Sequence, residues 1–173
     1  MNKRVIVIGG NGALGNAFVN IFKNNPSSWK VLSLDYSKNK IADSNLVLNK
    51  DSFNKESLIG IRKEISDFSN QFDLMVNVAG GWNGVGLKDD NIFDSLDLML
   101  KQNLFSSVLG VHLAYHFLKK DSHLVLTGAM SPYLNQGYNF MMTYQLSKNS
   151  VHHLTELINW NKEDKFKILT LLP

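Results

Sequence analysis

Tyr144 and Lys148 stand four residues apart in the run YQLSK. Four residues is about one turn of an α-helix, so the two side chains share a face. A tyrosine hydroxyl ordinarily titrates near 10, too high for acid or base work at neutral pH. An ammonium one turn away stabilises the phenolate and is expected to draw that pKa into a usable range, so the pair can move a proton. A second group of residues can hold a nucleotide. Residues 5–15, VIVIGGNGALG, end a β-branched run at Gly9 and repeat glycine at Gly12 and Gly15. In such a turn the first glycine allows the tight strand exit, the second lets the backbone approach a pyrophosphate, and the third lets helix pack on strand. Ala13 and Leu14 complete the first helical turn, whose positive end receives the phosphates. Asp35 follows twenty residues beyond Gly15, at the end of a second β-rich run. A carboxylate there accepts hydrogen bonds from the adenosine ribose hydroxyls. It would repel a 2′-phosphate, and no arginine lies near in sequence to receive one, so NADH is expected over NADPH.

These groups need a scaffold that brings residues 9–15, 35 and 144–148 to one place. After the cradle, Leu14, Phe18, Ile21 and Phe22 recur at helical spacing, and Asn24-Asn25-Pro26 is a stop signal. Strands are expected at 29–34, 46–48, 74–78, 123–127 and 166–172. Helices are expected between them, one carrying Leu58, Ile61, Ile65 and Phe68, one over 95–118 and one over 143–160. Strands alternating with helices demand a parallel sheet covered on both faces. The fold class is therefore α/β, a Rossmann-type doubly wound sheet with strand order 3-2-1-4-5-6, read as a single dinucleotide-binding domain over residues 1–173. Only residues 36–44 separate the second strand from the third. That is too few for an ordinary crossover helix, and a single turn or loop is expected there.

Composition narrows the function classes. The chain has 173 residues and a net charge of +3, with lysines scattered singly or in pairs. No basic stripe with interleaved aromatics suggests a nucleic-acid surface. Cysteine is absent, which removes disulfides, thiolate metal sites and a cysteine nucleophile together. The apolar run after Met1-Asn2-Lys3-Arg4 is too short for a signal peptide, and no stretch approaches the length of a membrane span. A cytoplasmic location is the default expectation. His112 and His116 have the spacing of metal ligands on a helix, but no third ligand accompanies them and no metal site is expected. His152 and His153 are adjacent, point to different helix faces and suggest no site. Tyr138, Phe140, Met141 and Met142 read as an adaptable apolar wall before the catalytic helix.

The glycine cradle, Asn77-Val78-Ala79-Gly80 after the fourth strand, Asn103 within the long helix, and Tyr144 with Lys148 occur in one order along the whole chain. In that order they resemble the short-chain dehydrogenase/reductase family. The resemblance implies that Tyr144 is the proton donor, that Lys148 holds the nicotinamide ribose hydroxyls and assists it, and that Asn103 sits at a helix irregularity anchoring a water relay. Ala79 and Gly80 would flank the cofactor. A narrower likeness rests on GGNGALG, Asp51-Ser52-Phe53, Gly80-Gly81-Trp82, Asp97-Leu98-Met99 with Lys101-Gln102, and Leu172-Pro173. These resemble the members of the family that reduce quinonoid dihydropterins. The resemblance then implies hydride transfer from NADH to a quinonoid dihydropterin, regenerating the tetrahydropterin, with Trp82 packed on the flat heteroaromatic substrate. Two counts locate the family's serine differently. Counting back from Tyr144 gives Ser131, and counting along the fifth strand gives Ala129; the strand register favours Ala129, with Ser131 a loop residue beside the substrate. A carbonyl reductase that uses Ser131, and a dinucleotide-binding protein with little turnover, remain alternatives. A homodimer through the two long helices is implied as well. Family members continue beyond the sixth strand into a loop that closes over nicotinamide and substrate. This sequence ends at Leu172-Pro173, so the final strand and that lid are expected to be missing, with adenosine binding kept and turnover weak.

Overall fold

The computed structural model describes residues 3–49, 53–130, 139–160 and 165–173. Six strands form one sheet: β1 Arg4–Ile8, β2 Lys30–Asp35, β3 Ser44–Val47, β4 Phe72–Asn77, β5 Leu118–Thr127 and β6 Phe166–Leu171. They are all parallel, in the order β3-β2-β1-β4-β5-β6 that the alternation of elements predicts. The helices are α1 Ala13–Lys23, α2 Lys55–Phe68, α3 Ile92–Met99, α4 Ser106–Phe117 and α5 Met142–Asn159.

The period-2 alternation of β1 divides its side chains between two layers. Ile6 and Ile8 join a core with Ile61 and Ile65 of α2, Leu109 and Leu113 of α4, and Val151 and Ile158 of α5. Val5 and Val7 join a second core with Val19 and Phe22 of α1. Each fully buried aliphatic side chain contributes about 1.5–3 kcal/mol by leaving water. A sheet packed on both faces must present its loops at its ends, and the register aligns those ends. Ile8 pairs with Asn77, and Asn77 with Leu126, so β1, β4 and β5 finish at one level.

The face that α1 buries is shifted from the expected one, keeping Phe18 and Phe22 on the core but not Leu14 and Ile21. Gly15, Val19 and Phe22 point inward, while Leu14 and Ile21 are 47% and 60% exposed. The cause is Gly15, where a Cβ would overlap the Gly9 carbonyl oxygen; that close approach sets the rotation of the helix. The helix expected over 95–118 carries the irregularity that the resemblance implies at Asn103. It starts at Ile92, and Leu100–Phe105 widen into a π-helical segment between α3 and α4. Leu118 has extended backbone and opens β5 instead of closing the helix. Between β2 and β3 the chain forms no helix, and Asn39 organises the connection.

Candidate active site

At the carboxyl end of the sheet, β1 stops at Gly9, whose φ of +80° an L side chain rarely adopts. A Cβ there would also lie 2.5 Å from the Ala79 nitrogen, so glycine is required twice over. The chain then turns, the Gly12 N–H donating to the Gly9 carbonyl at 3.1 Å. Gly12 is the N-cap of α1 and offers no side-chain cap, so the first-turn amides of Ala13 and Leu14 face outward without helical partners. Both residues are exposed, and a Cβ on Gly12 would touch nothing closer than the Gly9 oxygen at 3.4 Å. Open space in front of a bare helix N-terminus suits a phosphate. Asp35 ends β2 beside it, and its Oδ2 accepts the Asn11 N–H at 2.8 Å. Gly9, Asn11, Gly12 and Asp35 line a cleft of about 300 Å³ together with Tyr36, Ala79, Gly80 and Gln102. The donor set fits an adenine dinucleotide: amides for phosphates, and a carboxylate where the ribose falls.

Tyr144, Lys148, Asn103 and Gly80 converge at the end of β4 and β5. Lys148 is 4% exposed; its Nζ donates to the Thr127 carbonyl at 2.8 Å and lies 5.9 Å from the centre of the Tyr144 ring. Burial pulls the Lys148 pKa down to about 8. Asn103 is buried in the π-helical segment. Its Oδ1 accepts the Gly81 N–H at 3.0 Å, while its Nδ2 donates to the Gly81 carbonyl at 3.1 Å and to Ser147 Oγ at 2.9 Å. Ser147 Oγ in turn donates to the Tyr144 carbonyl. A π-helical turn shifts the phase of the helix, which is how Asn103 spans β4's loop and α5 at once. Gly80 makes room: a Cβ there would lie 2.7 Å from Asn103 Oδ1 and 3.5 Å from Lys148 Nζ.

One expectation is reversed. Burial raises the Tyr144 pKa. The ammonium of Lys148 sits over the ring and bonds to a carbonyl, so it does not offset the desolvation of the phenolate. Trp82 is 58% exposed on the loop leaving β4, its ring folded over Gly84, and it is not a core residue. Ala129 is buried just beyond β5. Ser131, Tyr138, Asp51 and Ser52 lie outside the described residues. Phe140 is exposed, and Met141 and Met142 are half-buried at the start of α5. His112 and His116 pack edge to face on α4 with centroids 4.7 Å apart, and His116 Nε2 meets the Arg62 guanidinium at 3.0 Å.

Sequence reading passed over two residues. His152 is buried, its Nε2 accepting the Ala129 N–H at 3.1 Å, and burial lowers its pKa. Pairing it with His153 hid the fact that it lies one helical turn beyond Lys148. Asn39 is 2% exposed and joins the loop after β2 to the glycine cradle. Its signal was faint: an asparagine in a connection too short for a helix.

A glycine cradle opening a doubly wound sheet, with a Tyr-Lys pair one turn apart on the helix before β6, defines a dinucleotide-binding enzyme scaffold. Comparison with known proteins agrees. No family model matches the sequence. Dihydropteridine reductase of Dictyostelium discoideum is 34% identical over 154 residues, covering 89% of this chain and 64% of that protein. The chain thus spans just under two thirds of the relative's length. A short chain dehydrogenase family protein from Francisella tularensis superposes with a TM-score of 0.83 at 20% identity, covering 100% of this chain and 69% of the other. The 4-hydroxyisoleucine dehydrogenase complexed with NADH superposes with a TM-score of 0.77 at 16% identity, covering 99% of this chain and 75% of the other. The chain therefore has the fold of these short-chain dehydrogenases and is similar in sequence to a dihydropteridine reductase. No helix among the described residues is long and apolar enough to cross a membrane.

Proposed function

We propose that this chain binds NADH in the cleft over β1, β2 and β4 and reduces a quinonoid dihydropterin to the tetrahydropterin, Tyr144 supplying or relaying the proton. The observation that carries the reading is the convergence of Gly80, Asn103, Tyr144 and Lys148 beside the glycine cradle, in a chain similar to a protein named dihydropteridine reductase. Gly9, Gly12, Ala13, Leu14 and Gly15 would hold the pyrophosphate. Asp35 would hold the adenosine ribose, Ala79 and Gly80 the flank, and Lys148 the nicotinamide ribose. When bound, the reduced dinucleotide supplies the hydride. The protein supplies the proton and the geometry. Burial keeps the Tyr144 phenol protonated at neutral pH, so it serves as an acid and not as a base. Asn103 ties the Gly81 backbone to α5, fixing the loop that carries Trp82 relative to Tyr144. The exposed Trp82 ring offers a flat face to a heteroaromatic substrate. Ala129 brings no hydroxyl to the end of β5, which suits a substrate that needs no carbonyl polarisation.

The test is NADH oxidation with quinonoid dihydropterin beside a panel of simple ketones. Turnover with the pterin and little with the ketones is expected, and the reverse pattern refutes the reading. The proposed assembly is a homodimer through the two long helices. Phe105 ahead of α4, Val108 and Tyr115 on α4, and Leu146 and Leu157 on α5, are exposed apolar side chains that a second copy would cover. A monomer by light scattering overturns that assembly.

A further inference from the structure

We propose that Asn39 and Asn16 form an amide relay behind the glycine cradle that positions its amides for the phosphates of the dinucleotide, an inference that rests on the dinucleotide reading above. Asn39 Nδ2 donates to the Gly10 carbonyl and to Asn16 Oδ1, both at 2.8 Å. Asn16 Nδ2 donates onward to the Asn11 carbonyl at 2.8 Å and the Gly12 carbonyl at 3.1 Å. Three successive carbonyls, those of Gly10, Asn11 and Gly12, are therefore each held by one of two side-chain amides.

The consequence follows from the planarity of the peptide bond. The C=O of one residue and the N–H of the next point in opposite directions across a trans peptide. The Gly12 carbonyl also accepts the Asn16 backbone N–H at 2.8 Å, which directs the Ala13 N–H forward into the space before α1, so the Asn11 carbonyl is the one that the Asn16 side chain keeps out of that space. A carbonyl swung the other way would place negative charge against a phosphate. The relay is anchored at its far end. Asn39 Oδ1 accepts the Ile41 and Ala42 N–H groups at 2.8 and 3.0 Å. Its backbone exchanges hydrogen bonds with the Asn45 side chain at 2.7 and 3.0 Å. The loop after β2 and the cradle after β1 are thus one unit, linked again through Asp35 Oδ2 and the Asn11 N–H, and through Asn11 Nδ2 and Ser37 Oγ. Helix stability does not account for Asn16, because alanine is the better helix former at that position. Its amide has work to do outside the helix.

The experiment measures ADP-ribose and adenosine binding to the wild-type chain, to Asn16→Ala and to Asn39→Ala by NMR titration, with melting temperatures alongside. Asn16→Ala removes both side-chain hydrogen bonds to the cradle carbonyls and the acceptor of Asn39 Nδ2, leaves the Gly12 carbonyl its backbone bond and frees that of Asn11, and keeps a good helix former. ADP-ribose is expected to bind about tenfold more weakly to it, the scale of one to two hydrogen bonds. Adenosine, which has no phosphate, should bind within about twofold of wild type, and the melting temperature should fall by no more than a few degrees, the cost of the bond that Asn39 Nδ2 loses. Asn39→Ala acts upstream in the same relay, so the double variant should bind ADP-ribose no more weakly than the worse single variant. If Asn39→Ala fails to fold, Asn16→Ala decides alone. Unchanged ADP-ribose affinity in Asn16→Ala overturns the relay and leaves the dinucleotide reading standing. Equal weakening of ADP-ribose and adenosine shows general loosening and also overturns it. A wild-type chain that fails to bind ADP-ribose overturns the dinucleotide reading and the relay with it.

Discussion

Lys148 is predicted to weaken the fold that it serves, and Lys148→Met measures by how much. The ammonium is 4% exposed, with the Thr127 carbonyl as hydrogen-bond partner, and burial holds its pKa at about 8 against an ordinary 10.5. Below pH 8 the folded and unfolded chains are both protonated, and the folded one bears the full cost of a buried charge. Between 8 and 10.5 the unfolded chain keeps a proton that the folded chain has released, so stability rises with pH across that window and levels off above it. At about 1.4 kcal/mol for each tenfold difference in proton affinity, the cost at neutral pH is about 3 kcal/mol. Methionine keeps the unbranched stem and drops the charge. Subtracting about 1 kcal/mol for the lost hydrogen bond leaves the variant more stable at pH 7 by about 2 kcal/mol. Urea unfolding of both proteins at pH 7 and near pH 10 tests this, because other titrating groups cancel in the difference. The gap should close at the higher pH while turnover is lost throughout. A variant less stable at pH 7, or a gap that does not change with pH, would refute the reasoning.

Tyr144→Phe should lower turnover by about 10² or more with NADH binding retained, since a positioned general acid is worth that factor; full activity shows that the proton arrives another way. NADH should bind more tightly than NADPH by about 1–3 kcal/mol, and Asp35→Ser should narrow the gap. Equal affinities from calorimetry contradict the role of Asp35. Ser131→Ala should be nearly silent with a pterin substrate, whereas a loss of about 10² would mark carbonyl polarisation by that hydroxyl. Turnover should decline as pH rises through about 8, where Lys148 releases its proton, and a pH–rate profile level from 7 to 9.5 excludes a need for the ammonium.

Strand order was legible because alternation and crossover handedness leave few topologies, and the glycine cradle selects the dinucleotide-binding order among them. Helix phase was not. Counting apolar residues places Leu14, Phe18, Ile21 and Phe22 on one face; Phe18 and Phe22 do pack on the core, yet Gly15 has to face Gly9, and that contact brings Val19 inward and leaves Leu14 and Ile21 exposed. The information was present in the third glycine, but as a constraint on distance and not as hydrophobicity. The π-helical segment at Leu100–Phe105 left no mark in the apolar spacing. Asn39 was invisible for another reason: its partners Gly10 and Asn16 lie 29 and 23 residues away, and only the folded sheet brings them together.

The Tyr144–Lys148 pair shows the same limit in its electrostatics. Spacing places Tyr144 and Lys148 on one helix face, and the structure agrees. Spacing does not say how much water is left around them. Burial moves the two pKa values in opposite directions, raising the phenol above 10 and lowering the ammonium to about 8. The lysine is therefore the more acidic of the two. A phenolate left after Tyr144 gives up its proton is a stronger base than the Lys148 amine, so proton return from the lysine side is downhill. Desolvation keeps Tyr144 in its protonated form at neutral pH, a weak acid whose phenolate readily takes a proton back, and makes Lys148 the readier proton source. The chemistry that follows is delivery of a proton to a substrate that is gaining a hydride, which is the direction in which a reductase works.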